Sequence, residues 1–511
     1  MRGNKTKNEL SRSITHYREM LFGKNDGFHE SDADVMNFNR KERNFLLLNL
    51  LPEIGHLLNV GLIKTVMNFA DMSGLENLER YISINLAVLK QQASMQNKSV
   101  MDAVHDKKPP NIHWKPPKKD YKGFTYAKIR NKLDKIIDER ASGMSSFERF
   151  NRAIEDKIPD RVPFAPLMDN FYARIGNVSV AQFVSQRYST IFKIVDFTHE
   201  LFHDYFDMVH LPPGRMYSFY QPIPAAHSAY YSQLILPERK GQLLQFVEKN
   251  YLKLDDFESI RENGFASVWR PRPLGLVYET MIDFIQTGVF FYKWEHERRI
   301  PTYTGSAYVT PLECLSYLMG INEWSKCIIR RTDQVEIIAD WLQKGLLAND
   351  LLLKNFSGVK RDYICLERVS PQFISPRIFE RLVLPHIKEV VQQNVENGFV
   401  SLFHMDTDWE PFLHYFAELP KQGRYIYHLE NTNILHAREI LGDNATLMGN
   451  LDGNLLVFGT EDKIRKRVSE LINKVGHNGK FILSAGCHLP PDIPIINLLV
   501  IIEQLEKLGY Y

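Results

Sequence analysis

Hydrophobic and polar positions follow two different patterns along the last third of the chain. Short apolar runs recur at 363–366, 400–403, 425–427, 446–448 and 481–483, and between them apolar residues repeat every three or four positions. The runs predict buried strands, and the longer periodic stretches predict amphipathic helices. Strands that alternate with helices in this way are typical of a parallel sheet covered by helices.

Capping residues mark the predicted helix boundaries. Ser375, followed by a proline, starts a helix that Gly398 ends. Thr460, followed by two acidic residues, starts another helix that ends at Gly476. Farther upstream, Ser145 begins a capping box that opens a short helix, and an apolar strand is predicted soon after it. The strand–helix alternation is therefore expected to run from about residue 144 to the end of the chain.

Residues 1–143 have a different character. Apolar faces around 46–58 and 78–89 predict helices. The segment from about 105 to 122 interleaves paired prolines with lysines, which indicates a stiff connector, with a docking strip for an acidic partner protein as the alternative. We predict a mainly helical extension over 1–143 that folds against a larger domain over 144–511.

Composition narrows the class of protein. The chain has 511 residues, with 63 Lys and Arg against 61 Asp and Glu. This balance argues against nucleic-acid binding. Charged residues interrupt the most apolar stretch, 44–70, so no membrane span is expected, and the polar N-terminus predicts no secretory signal. Four cysteines without a CxxC pair favour a cytoplasmic protein.

Side chains with metal-binding chemistry stand where predicted strands end. His404 and Asp406 are two residues apart and should point to the same side of a strand, and Cys487 follows the last strand. Imidazole, carboxylate and thiolate together suit Zn²⁺ with one open position. The residues alone leave the alternative that His404 and Asp406 form a structural hydrogen-bonded pair and that Cys487 is a small buried hydrophobe.

Several longer motifs resemble proteins of the uroporphyrinogen decarboxylase family. They are the run 403–409 (FHMDTDW), Met448-Gly449-Asn450 and the run 482–491 (ILSAGCHLPP), in that order and with similar spacing. The likeness is greater to the branch of corrinoid-linked methyltransferases, and it covers about residues 144–511. It implies a (β/α)8 TIM barrel whose pocket lies at the carboxyl ends of the strands.

The resemblance also implies a function. Zinc-binding members use a His-x-Cys and a later Cys, which correspond here to His404, Asp406 and Cys487, so the middle thiolate is replaced by a harder carboxylate. The expected activity is transfer of a methyl group from a methylated corrinoid, such as methylcobalamin, to a thiol or folate acceptor. The chain lacks an Asp-x-His-x-x-Gly pattern, so a separate corrinoid protein would carry the cofactor.

Four further residues are assigned as expectations. Glu430 and Asp408 are candidates for proton transfer or for orienting His404. Asp169 and Asn450 are candidates for lining the substrate pocket. A homodimer is left open. The residue after Cys487, a histidine, is expected to point away from the pocket if the chain is extended there.

Two alternatives to methyl transfer remain. One is the decarboxylation of uroporphyrinogen, whose carboxylates require arginines early in the barrel. Region 168–174 offers only Arg174. Region 210–214 lacks the Asp that the decarboxylase carries after its second strand, and Cys487 stands where the decarboxylase has a His. The other alternative is a barrel that has lost catalysis and serves as a binding partner.

Overall fold

The computed structural model describes residues 113–137, 143–185, 188–211, 234–235, 239–242, 245–256, 287–443 and 445–511. The helices predicted around 46–58 and 78–89 lie outside the described residues. The same is true of the first part of the connector, and their predictions stay open.

Six parallel strands form one sheet whose order follows the chain. A small antiparallel ribbon, β1 (Leu234–Ile235) and β2 (Gln245–Phe246), precedes them. The strands of the large sheet are β3 (Ser306–Val309), β4 (Arg361–Leu366), β5 (Val400–Met405), β6 (Arg424–Leu429), β7 (Thr446–Leu451) and β8 (Phe481–Ala485). The last five contain the five apolar runs, so the strand prediction for this part of the chain is confirmed.

Two further segments close this sheet on itself. The first bridged segment, residues 161–168, runs parallel to β8, and Ala165 N donates to Leu483 O at 2.9 Å. The second bridged segment, residues 207–211, begins where Asp207 N donates to Phe164 O at 2.8 Å. It then leads into β3, because Tyr303 N donates to Val209 O at 2.9 Å. Eight parallel segments therefore surround one axis, and the predicted barrel is confirmed.

Helices follow the parallel segments and cover the outside of the barrel. In chain order they are α1 (Tyr126–Ile136), α2 (Ser146–Ile154), α3 (Asp169–Ile175), α4 (Val180–Ser185), α5 (Tyr188–Leu201), α6 (Pro311–Met319), α7 (Ile321–Arg330), α8 (Thr332–Ser357), α9 (Pro376–Leu382), α10 (Leu384–Asn397), α11 (Leu413–Ala417), α12 (Ile434–Leu441), α13 (Gly453–Phe458), α14 (Glu461–Lys474) and α15 (Ile495–Leu508). A π-helical turn, Tyr292–Glu297, precedes β3.

The capping signals predicted most helix boundaries correctly. Ser145 accepts a hydrogen bond from Glu148 N at 3.2 Å and starts α2, and Thr460 caps α14 in the same way. The single helix predicted from Ser375 to Gly398 is wrong in one respect. It is divided at Val383 into α9 and α10, and the break lies next to Pro385, which has no N–H to continue the hydrogen-bond ladder.

The barrel interior is packed at the end opposite to the strand carboxyl ends. Helix α2 lies across that end, and its buried residues Phe150, Ala153 and Ile154 join the inward-facing residues of the barrel wall. The wall residues of this inner cluster are Ala165, Leu167, Met208, Tyr303, Val400, Leu402, Ile426, Met448 and Ile482. Thr446 and Lys480 hold α2 in place by donating to the carbonyls of Ala153 and Ile154. This end of the barrel is therefore closed by protein.

The described part of the N-terminal extension lies against the barrel. The apolar face of α1 is buried in the main core, and Asp120 pairs with the buried Arg174 at 2.8 Å. Arg174 also donates to the carbonyl of Pro491, in the loop that follows β8. Residues 113–137 are thus attached beside the carboxyl end of the barrel. Nowhere in the described ranges does a helix combine the length and apolar character needed to cross a membrane.

Candidate metal centre at the carboxyl ends of the strands

The three predicted ligands meet at the open end of the barrel. His404 is the inward-facing residue near the end of β5 and is 2 % exposed. Its Nε2 lies 3.0 Å from Asp406 Oδ1 and 3.6 Å from Cys487 Sγ. One donor atom from each of the three residues lies within 4.8 Å of the others.

Charge is strongly coupled within this cluster. Burial opposes a charge on His404, but Tyr303, Asp406 and Cys487 together raise its pKa well above the usual value. Burial likewise opposes a charge on Asp406, yet His404 lowers the pKa of that carboxyl to about 2. A buried imidazolium beside a carboxylate is therefore the favoured state of the protein without a metal, and a cation at Nε2 would replace that proton.

The cluster offers the ligand types found in zinc sites of the catalytic type. Asp406 Oδ1 is buried and has no aligned hydrogen-bond donor, although it lies at ion-pair distance from His404 Nε2. A buried carboxylate oxygen is costly unless a cation lies beside it; without a metal that cation is the His404 imidazolium, and a metal ion bound at Nε2 would take its place. Three protein ligands of the N, O and S types leave a fourth position open for water or substrate.

Glu430 braces the loop that carries Asp406. Thr407 adopts a left-handed backbone conformation, φ 71°, which is unusual for a residue other than glycine. Its N–H donates to Glu430 Oε2 at 2.6 Å, and Asn431 N donates to Thr407 O at 3.1 Å. Glu430 thus lies beside the cluster and helps to fix the geometry of its loop.

The other three predicted residues have different surroundings. Asp408 accepts a hydrogen bond from Glu410 N at 2.9 Å and so stabilises the turn after β5. Asn450 is 7 % exposed and uses both ends of its amide, donating to Thr432 O and accepting from Arg467. Asp169 begins α3 at the carboxyl end of the first bridged segment. None of these contacts tests the proposed roles in catalysis or substrate binding.

Asp169 joins two histidines at the mouth of the barrel. Its two carboxylate oxygens lie 2.7 Å from His210 Nδ1 and 2.9 Å from His488 Nδ1. The His488 ring centre lies 6.4 Å from that of His404. The expectation that His488 points away from the pocket is therefore wrong. The chain bends at Gly486 and Cys487, so the alternation of an extended strand does not continue through Cys487, and His488 then pairs with Leu167 in a parallel bridge.

Sequence reasoning missed two residues that contact His404. Tyr303 Oη lies 3.1 Å from His404 Nδ1, and His428 Nδ1 lies 3.2 Å from the same atom. Burial and the neighbouring His404 lower the pKa of His428 to about 3, so its ring is neutral. The period-two alternation of β6 places His428 inward, opposite His404, but only the strand register makes that visible. No strand was predicted around Tyr303.

A second cluster adjoins the first along the wall of the barrel. One donor atom from each of Glu313, Cys365 and Glu367 lies within 4.8 Å of the others. Burial and Glu367 raise the pKa of Glu313 to about 8, although Arg368 N donates to its carboxylate at 2.8 Å. Cys365 pairs with His404 in the register of β4 and β5, so both side chains face the interior.

The sequence of this barrel matches a known family. Residues 296–508 match the profile of the uroporphyrinogen decarboxylase family. These residues form a uroporphyrinogen decarboxylase family domain. The match begins just before β3 and includes the six strands of the sheet, together with His404, Asp406 and Cys487.

Curated relatives of the uroporphyrinogen decarboxylase family domain are distant. The chain is 32% identical over 144 residues to uroporphyrinogen decarboxylase of Trichodesmium erythraeum. The matched stretch covers 27% of this chain and 38% of that protein. It is 25% identical over 173 residues to the enzyme of Chlorobium phaeovibrioides, which covers 31% of this chain and 48% of that protein. The chain therefore spans less than half the length of these relatives.

A solved structure has a similar fold over most of the chain. A methyltransferase from Methanosarcina mazei superposes with a TM-score of 0.54 at 16% identity, covering 71% of this chain and 99% of that one. This coverage is longer than residues 296–508, so the structural likeness includes residues outside the family match. At this identity it establishes the fold and not the reaction.

Proposed function

We propose that the chain is a metal-dependent methyltransferase that moves a methyl group from a methylated corrinoid to a thiol or folate acceptor. The observation that carries the proposal is the convergence of His404, Asp406 and Cys487 at the open end of the barrel. Zinc held there would supply Lewis acidity that activates the acceptor. The methyltransferase from Methanosarcina mazei, which has the same fold, supports this choice.

The chain's own residues would divide the work. His404, Asp406 and Cys487 would hold the cation; the barrel wall encloses His404, whereas Asp406 and Cys487 are partly exposed toward the mouth. Glu430 is the better placed of the two proposed catalytic carboxylates, because it already contacts the loop that carries Asp406. Asp408 remains the second. Asp169 and Asn450 remain the proposed pocket-lining residues, and the contact of Asp169 with His488 at the mouth favours Asp169.

Arg174 weighs against uroporphyrinogen decarboxylation. It is the one guanidinium of region 168–174, and a substrate with many carboxylates would need such a group at the mouth. Arg174 is 2 % exposed and already binds Asp120 and the carbonyl of Pro491. It is therefore committed to attaching the extension. Decarboxylation stays the second candidate, because the curated relatives are uroporphyrinogen decarboxylases.

We propose that the corrinoid arrives on a separate protein with an acidic surface. Between residues 113 and 137 there are eight Lys and Arg against two Asp, although the whole chain is nearly balanced. Lys128, Lys132 and Lys135 of α1 are exposed around a shallow groove that ends at Ile496, in the first turn of α15. Because α15 begins at the carboxyl end of the barrel, this basic groove lies beside the mouth. The four free thiols favour the cytoplasm for this reaction.

Metal analysis combined with a demethylation assay tests the proposal. Wild-type protein should contain zinc and should demethylate methylcobalamin in the presence of a thiol or a folate acceptor. His404→Ala and Cys487→Ser should each lose the metal and the activity together and keep the fold. Cys327→Ser, in α7 on the outer layer, is the matched control and should keep both.

Two results would decide against the proposal. A metal-free wild type that demethylates no corrinoid with any acceptor would overturn methyl transfer. Loss of activity in Cys487→Ser with unchanged metal content would instead make Cys487 a nucleophile and not a ligand.

A further inference from the structure

Three buried polar atoms form a triangle behind His404, on the side away from Asp406. Tyr303 Oη lies 3.1 Å from His404 Nδ1 and 2.8 Å from His428 Nδ1, and the two nitrogens are 3.2 Å apart. Tyr303 is 1 % exposed, and the two histidines are equally enclosed. Because water does not reach these atoms, they must satisfy one another, and this fixes where the hydrogens lie.

The hydrogen on His428 is determined by its other contact. His428 Nε2 lies 2.9 Å from the carbonyl oxygen of Ala485, at the end of β8. A carbonyl oxygen can only accept, so Nε2 carries the hydrogen. In the neutral ring the remaining nitrogen, Nδ1, is then an acceptor without a hydrogen.

Because His428 Nδ1 is an acceptor, the positions of the hydrogens on Tyr303 and His404 are determined as well. The Tyr303 hydroxyl has one hydrogen, and at 2.8 Å it donates to His428 Nδ1. If His404 Nδ1 also had no hydrogen, two bare nitrogens would face each other at 3.2 Å with nothing between them. His404 Nδ1 must therefore be a donor, either to the Tyr303 oxygen or shared with His428 Nδ1.

We propose that Ala485, His428 and Tyr303 form a positioning relay that keeps a hydrogen on Nδ1 of His404 and directs Nε2, the atom that would bind the metal, toward Asp406 and Cys487. Histidine ligands to metals usually donate their second N–H to an acceptor, which fixes ring orientation and tautomer. Here the acceptor is a tyrosine whose own hydrogen is already committed. The relay links β8, β6 and β5, so the carbonyl of Ala485 sets the state of a ligand three strands away.

The role in metal binding rests on the proposed function, whereas the tautomer does not. Under the simpler interpretation, Tyr303 fills the barrel interior and its hydroxyl contributes one buried hydrogen bond. That interpretation predicts a loss of stability for Tyr303→Phe but no change in His404. The two interpretations therefore separate when affinity and tautomer are measured alongside stability.

Metal affinity provides the first measurement. Tyr303→Phe keeps the ring and removes the hydroxyl, and we expect zinc binding, measured by competition with a chromogenic chelator, to weaken by about 10- to 100-fold. Tyr308→Phe is the matched control, since Tyr308 is equally buried and donates to Gln343 on the outer layer of the barrel. It should lose similar stability and bind zinc like the wild type. Equal zinc affinity in the two variants would overturn the role of the relay in metal binding.

The second measurement needs no metal and no variant. Nitrogen-15 NMR of the histidine rings in metal-free wild type should show a hydrogen on His404 Nδ1 at every pH at which the protein is folded. His428 should carry its hydrogen on Nε2 alone. A His404 ring without a hydrogen on Nδ1 would disprove the relay. If the tautomers are as predicted but the protein binds no metal, the relay is supported and the proposed function is overturned.

Discussion

Gly486 lies against the backbone of Glu430, and a Cβ at Gly486 would come within 2.9 Å of Glu430 Cα and 3.0 Å of its carbonyl oxygen. The residue before Cys487 must therefore be glycine if β8 is to approach β6 this closely. Glu430 in turn holds the loop of Asp406 through Thr407. One close approach thus sets the separation of two of the proposed ligands.

Gly486→Ala should move Cys487 away from His404. The contact at Glu430 is with backbone, which cannot rotate aside, so we expect a loss of about 1–3 kcal/mol in the free energy of unfolding. Zinc affinity should fall as well. Gly453→Ala is the control, because its Cβ would meet only Pro490 Cγ at 3.6 Å, an ordinary contact. Denaturant unfolding and chelator competition on both variants test this, and an unchanged Gly486→Ala would contradict it.

Glu313 should make the protein less stable as the pH rises. Burial and Glu367 raise the pKa of its carboxyl from 4.5 to about 8, so the folded state holds this proton more tightly than the unfolded state does. The proton on Glu313 stabilises the folded state fully below about pH 4.5, and this stabilisation declines as the pH rises to about 8. Glu313→Gln removes this dependence, so the variant should gain stability relative to wild type as the pH rises over that range.

The measurement for Glu313 is urea unfolding of both proteins at a series of pH values. Glu323→Gln, at a half-buried position in the first turn of α7, serves as the control and should follow the wild type. Parallel pH curves for wild type and Glu313→Gln would show that the carboxyl is not protonated in the folded state.

Purified protein should not convert uroporphyrinogen to coproporphyrinogen. Arg174, the arginine of region 168–174, is buried against Asp120. By the sequence resemblance, Cys487 stands where the decarboxylase has a histidine. Chromatography of the porphyrins after oxidation measures this directly. Turnover of about 1 s⁻¹ or faster, as in ordinary enzymes, would make decarboxylation the function in place of methyl transfer.

Asp120 should control how firmly the extension is attached. Asp120→Asn leaves the buried Arg174 without its counter-charge, which we expect to cost about 3–5 kcal/mol. Limited proteolysis should then cut near residues 113–125 sooner than in wild type. Asp134→Asn is the control, since Asp134 is exposed and faces only the half-exposed His203. Identical digestion of wild type and Asp120→Asn would show that the pair does not hold the connector.

Local signals in the sequence predicted the parts of the structure that depend on local chemistry. Strands, most helix ends and the pair of His404 and Asp406 follow from short patterns, because alternation and capping act over a few residues. Cys487 was chosen because it follows the last predicted strand, and the resemblance strengthened that choice. Tyr303 and His428 were missed because their roles depend on the register between strands, which no single segment encodes. His488 was misplaced because the chain bends at Gly486 and Cys487 and His488 then pairs with Leu167, a residue far away in the sequence.

Helix α2 closes one end of the barrel, and this limits the order in which molecules can bind and leave. With that end filled by Phe150, Ala153 and Ile154, whatever reaches His404 must come and go through the opposite end. A corrinoid protein docked at the mouth would cover that passage. In a methyl transfer the small acceptor would then have to bind before the carrier docks, and the methylated product could leave only after the carrier departs.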